Sequence, residues 1–151
     1  MSLNITIREA CEPDLLTLIK YNRALAEESE NLSLDKATLR LGVQKAVELN
    51  DCYYFVAELD GKVVGQSMIT SEWSDWRNGV IWWIQSVYVK PEIRRRGVFT
   101  SIFKHIEALA ERKPEVKALR LYVTYNNKAG MSSYETMGMK NSGYIVYEKS
   151  K

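Results

Sequence analysis

Apolar residues recur along this chain with two periods, and the switches between them lay out the elements. Ile5 and Ile7 alternate with polar neighbours as a short strand. Pro13 and Asp14 suit the first turn of a helix carrying Leu15, Leu18, Ile19, Leu25 and Ala26, expected to end near Glu28. Ser33 is the candidate N-cap of a second helix, with Asp35 in its first turn and Leu39, Val43, Ala46 and Val47 on one face. Asn50 and Asp51 break the pattern.

Period two then takes over. Tyr53 to Leu59 and Lys62 to Thr70 are β-rich runs joined by Asp60-Gly61, the dipeptide of a type I′ hairpin. A polar loop from Ser71 to Gly79, holding Trp73 and Trp76, leads into a long strand from Val80 to Val89 that Pro91 stops. From about Val98 a helical stripe of Phe99, Ile102, Phe103, Ile106, Leu109 and Ala110 runs to Arg112 and Lys113. Leu119 to Thr124 reads as a strand, and Asn127 caps a short helix through Met137 that Gly138 terminates. Tyr144 to Glu148 is expected to close the sheet. A strand reached from Val89 through a helix runs parallel to its predecessor, so a mixed α/β fold with a mixed sheet is expected.

Composition narrows the classes. The 151 residues suit one domain, taken as 1–151, and a formal charge of +2 gives no general affinity for polyanions. Cys11 and Cys52 stand in no metal-ligand spacing, so neither a metal site nor a disulfide is expected, and a reducing cytoplasm is the default. The stretch MSLNITIREA lacks the pattern of a signal peptide, and no apolar run reaches membrane length. The basic charge is concentrated at Arg94, Arg95 and Arg96, just ahead of Gly97 and the helix. The first N–H groups of a helix have no partner within it, so this turn can hold a phosphate. Neither a P-loop nor a G-x-G-x-x-G pattern occurs, which disfavours kinases and dinucleotide enzymes.

The element order and two local patterns resemble the GNAT superfamily of acyl-CoA N-acyltransferases over nearly the whole chain. The phosphate-loop pattern of that family falls on Arg94 and Gly97, and departs at Phe99, where a small residue is usual. A second pattern falls on Asn127, Tyr134, Gly138 and Met139. The resemblance implies a central, mostly antiparallel sheet with a splayed parallel pair and about four helices. It implies acetyl-CoA as cosubstrate and direct attack by an amine in a ternary complex, and it allows a homodimer. Cosubstrate contacts would come from Val87, Tyr88 and Val89 on the strand, from Arg94, Arg95, Arg96, Gly97, Val98, Phe99 and Thr100 on the loop, and from Asn127 and Tyr134.

Acetylating an amine sets its own demands. An alkyl ammonium of pKa near 10.4 is the free nucleophile in only roughly one molecule in 2,500 at pH 7, so its proton must go somewhere. By resemblance, Gln85 stands where polyamine and thialysine acetyltransferases carry Glu. Gln85 cannot be a base but can orient water or substrate. Glu72 and Asp75, expected on the loop entering the strand, are the nearest carboxylates, and the simpler reading makes them solvated loop residues. Tyr134 matches the usual general acid for the departing thiolate. Trp73, Trp76, Trp82 and Trp83 either line a pocket for a cationic amine or, for Trp82 or Trp83, pack in the core. His105 reads as a surface helix residue. An acetyl-CoA-dependent N-acetyltransferase is the expectation, a CoA-binding domain without turnover the alternative, and nucleic-acid binding the weakest reading.

Overall fold

The computed structural model describes residues 3–151, so Met1 and Ser2, the start of the alternating N-terminal run, lie outside the described residues. The chain divides into two compact units, the first ending at Leu121 and the second starting at Tyr122. In the first unit β1 (Ile5–Glu9) leads through a single 3-10 turn into α1 (Leu15–Glu30) and α2 (Lys36–Glu48). Then come β2 (Tyr53–Leu59), β3 (Lys62–Ser74), β4 (Gly79–Val89), α3 (Val98–Glu111) and β5 (Val116–Leu121). The second unit carries α4 (Lys128–Thr136).

The sheet runs in chain order, β1-β2-β3-β4-β5, with β1 to β4 antiparallel and β5 parallel to β4. The Asp60-Gly61 turn has positive φ at both residues, 53° and 75°, as a type I′ hairpin requires. The second hairpin is longer than its polarity suggested. Ser71 to Ser74 pair with Gly79 to Trp82, which places Glu72 on a strand and confines the turn to residues 75–78. Cross-strand pairs such as Glu72↔Ile81 and Trp73↔Val80 keep the ladder going where composition read loop.

Helix boundaries follow local hydrogen bonding. α1 runs two residues past Glu28 and ends on Asn31, whose φ of 51° is left-handed, while Leu32 N–H donates to Ala26 O. Asp35, not Ser33, caps α2: its carboxylate accepts from Thr38 N–H at 2.9 Å. Arg8 on β1 clamps the start of the α1 segment, meeting Asp14 at 2.7 Å and Glu58 of β2 at 2.8 Å. The guanidinium holds the Asp14 carboxyl down to about 2.

The two faces of the sheet are buried by different helices. α1 and α2 close one face over Leu18, Val43, Ala46, Cys52, Tyr54 and Val56. α3 presses Val98, Ile102, Phe103 and Ile106 onto the other. Its approach is close enough that a Cβ at Gly65 would meet Val98 Cγ1 at 3.0 Å and Tyr88 O at 3.2 Å. His105 is half-buried here, its ring 5.3 Å from Phe55, and burial pulls its pKa down. The expectation of a surface residue fails because α3 turns a wider face inward than its aliphatic stripe.

β5 occupies Val116–Leu121 in place of Leu119 to Thr124, drawn earlier by its parallel register, Val80↔Val116 to Ile84↔Leu121. Residues 140–151 form no strand, contrary to the closing strand expected over Tyr144 to Glu148. Tyr144, Ile145, Val146 and Tyr147 are four successive apolar residues, all largely exposed, and they lack the alternation that commits one face of a strand to a core.

Candidate active site

Several irregular features of the first unit meet at the C-terminal end of β4. Its ladder with β5 stops at Ile84↔Leu121. On the β3 side, Gln66 pairs with Tyr88 and Met68 with Gln85, so Ser67 alone opposes both Ser86 and Val87. This is a β-bulge, with Ser86 at a left-handed φ of 53°. Beyond it Tyr88 again faces Gln66, and Lys90 N–H reaches Val64 O at 2.9 Å. By alternation, the main-chain groups of Val87 and Val89 point away from β3. They form a short strand edge of the kind that binds an extended chain.

β4 reaches the basic loop through a 3-10 turn, Pro91–Ile93. Arg94 turns back: its Nε donates to Val89 O at 2.8 Å, its Nη2 meets Glu28 at 2.7 Å, and its guanidinium lies 5.2 Å above the Tyr88 ring centre. It therefore ties the loop to β4 and α1, a role its place among three arginines did not reveal. Arg95 takes a left-handed φ of 63° and Gly97 one of 91°. Arg95, Arg96, Gly97 and Thr100 are exposed, Phe99 is half-buried, and Val98 is buried. Gly97 is the N-cap of α3 and supplies no side-chain cap; Ser101 N–H makes the first helical bond, to Gly97 O. The N–H groups of Val98, Phe99 and Thr100 thus have no acceptor within the helix. A Cβ at Gly97 would meet nothing within 4 Å, so the glycine serves its backbone angle and leaves the approach open.

A polar patch lies on the α1–α2 face of the same strands. Gln85 Nε2 donates to Thr70 Oγ1, which fixes the amide and leaves Oε1 as its acceptor. Farther along, Trp83 Nε1 donates to Glu72 Oε1 at 3.1 Å, and Arg120 lies 3.9 Å from the same carboxylate and 5.8 Å from the Trp83 ring centre. Glu72 pairs with Ile81, four register steps from Gln85, or about 13 Å along the strand. The four tryptophans do not gather: Trp82 packs with Tyr53 in the core, while Trp73 and Trp76 are exposed. Asp75 sits in the hairpin turn and accepts from Trp76 N–H. Thr70, Arg120 and Glu28 were not singled out from sequence, because their only signal is strand or helix register with residues far along the chain.

In the second unit Asn127 caps α4, as expected, accepting from Gly130 N–H at 2.9 Å. Tyr134 lies on α4, half-buried, and burial raises its pKa above that of a free phenol. A phenol so shifted stays protonated and able to donate.

Residues 18–139 match the model of the acetyltransferase (GNAT) family. The chain is 30% identical to a thialysine N-epsilon-acetyltransferase of Bos taurus, over 91% of this chain and 85% of that protein. A crystal structure of a possible acetyltransferase from Clostridium difficile 630 superposes with a TM-score of 0.90 at 40% identity, covering 99% of each chain. A predicted acetyltransferase from Clostridium acetobutylicum, solved with acetyl-CoA, gives 0.79 at 17% identity over 96% of each.

Proposed function

The chain belongs to the GNAT family of acetyltransferases and is an acetyl-CoA-dependent N-acetyltransferase, and from that premise we propose that its acceptor is the side-chain amine of a small diamino acid. The outward edge of Val87 and Val89, followed through the basic loop by the uncapped start of α3, carries the cosubstrate part of the reading. Pantetheine amides pair with that edge, and the pyrophosphate meets the N–H groups of Val98, Phe99 and Thr100 beside Arg95 and Arg96. With Val89 O already taken by Arg94, Val87 and Val89 N–H remain for the arm.

The acceptor lies along the α1–α2 face. Its reacting amine sits near Gln85, whose Oε1 orients it or a water; the proton leaves through solvent, since no carboxylate stands at that position. A four-carbon arm covers about two residues of strand, the separation of Gln85 from Trp83; there the Glu72 carboxylate, drawn to the Trp83 indole N–H, can meet the α-ammonium and Arg120 the α-carboxylate. Glu72 is thus an acceptor anchor rather than the general base. The amino-acid substrate in the name of the Bos taurus relative supports the same class. Tyr134 returns a proton to the CoA thiolate. We take residues 1–151 as one acetyltransferase domain, since the family match spans both compact units, and the cytoplasm as its compartment. Among the described residues no helix is long and apolar enough to cross a membrane.

A thiol-release assay with acetyl-CoA against diamino acids, their α-esters, polyamines, aminoglycosides and peptides tests this. Free diamino acids are expected to give the highest kcat/KM, falling at least tenfold on esterification. A preference for polyamines or peptides would remove the acceptor assignment.

A further inference from the structure

Beneath the β4 bulge lies a buried polar network that the reaction as described does not use. Gln66 and Ser67 on β3 are both fully buried. Gln66 Nε2 donates to the carbonyl of Ser86, the left-handed residue of the bulge, at 3.0 Å, and Ser67 Oγ donates to Gln85 O at 3.3 Å. The Tyr54 hydroxyl accepts from Asn22 Nδ2 of α1 at 2.7 Å and lies beside the side chains of Ser86 and Gln66. Asn22 in turn donates to Leu18 O at 2.8 Å. Gln66 Oε1 is buried with no hydrogen-bond partner within the protein. A leucine or methionine there would bury no orphaned oxygen, so the amide is costly for packing alone. What it secures is the Ser86 carbonyl, and with it the strained φ of the bulge.

We infer that Gln66, braced by Tyr54, is a positioning residue for the cosubstrate: it locks the bulge so that Val87 and Val89 present their main chain outward in register with the pantetheine arm. The inference rests on the transferase reading above, and it separates two parts of one ligand. The arm pairs with β4 just past the bulge, whereas the nucleotide phosphates meet the start of α3, which the buried residues Val98, Ile102, Phe103 and Ile106 and the ion pair of Arg94 with Glu28 hold by contacts other than those of Gln66.

The test compares the affinities of CoA and of 3′,5′-ADP, which lacks the arm, by calorimetry. The parent is set against Gln66→Met, similar in length but without a donor for the Ser86 carbonyl, and Tyr54→Phe, which keeps the ring. The expected result is a loss of about tenfold in CoA affinity with 3′,5′-ADP affinity within twofold of the parent, and a rise in the KM for acetyl-CoA larger than the fall in kcat. Parallel losses for both ligands, or no loss for either, in whichever variant folds, would overturn the inference while leaving the transferase reading intact. A folded parent that binds neither ligand would overturn both.

Discussion

Tyr134 joins a motif position, a raised pKa and a stated chemical need. Burial moves the phenol upward, so at neutral pH the proton it would give to the thiolate is in place. Tyr134→Phe keeps the ring and removes that proton. Fold and CoA affinity should change little, while kcat at saturating substrates should fall by about 10²- to 10⁴-fold, or about 3 to 5 kcal/mol of barrier. Solvent can protonate a thiolate at low pH, so the deficit should widen as pH rises. A variant within twofold of the parent across the pH range would make Tyr134 a packing residue.

Among the elements, the loop between β4 and α3 shows how a charged residue can be read correctly in place and incompletely in role. Three arginines before Gly97 suggest an anion site, yet Arg94 spends its guanidinium on Val89 O, Glu28 and the Tyr88 face, so the exposed Arg95 and Arg96 are the pair proposed to meet phosphate. Glu28→Ala, distant in sequence and carrying a charge unsuited to phosphate, should therefore weaken CoA binding severalfold by loosening Arg94, measurable by calorimetry. Stronger binding would mean that Glu28 acts only by repelling phosphate. Elements with local signals were legible: the Asp60-Gly61 hairpin, the Gly97 start of α3, the Asn127 cap and the parallel β4–β5 pair. What needed the structure depended on partners far along the chain, such as the bulge at Ser86, the Arg94–Glu28 pair and the Glu72–Trp83–Arg120 patch. The run YIVY misled because β-propensity alone does not supply a neighbouring strand.

For the whole molecule, cosubstrate binding should appear as stability. CoA at about 100 times its dissociation constant should add roughly 2.7 kcal/mol to unfolding, and adenosine far less. Gly97→Glu adds a carboxylate at a position whose Cβ would meet nothing within 4 Å, and at a φ of 91° that strains any side chain. Its apo form should melt slightly lower than the parent and gain no protection from CoA, as differential scanning fluorimetry would show; a full thermal shift in that variant would put the phosphates elsewhere. The sheet order has a further consequence, in time rather than space. β2, β3 and β4 follow one another through two tight turns, so their ladders close over short loops, whereas β5 must wait for the whole of α3 to be made and docked. Contacts between near neighbours in sequence form fastest, so the meander from Tyr53 to Val89 should gain amide protection first on refolding. The strand that carries the bulge would then be set before its parallel partner arrives, and β5 would join an edge already shaped to part from it at Ile84.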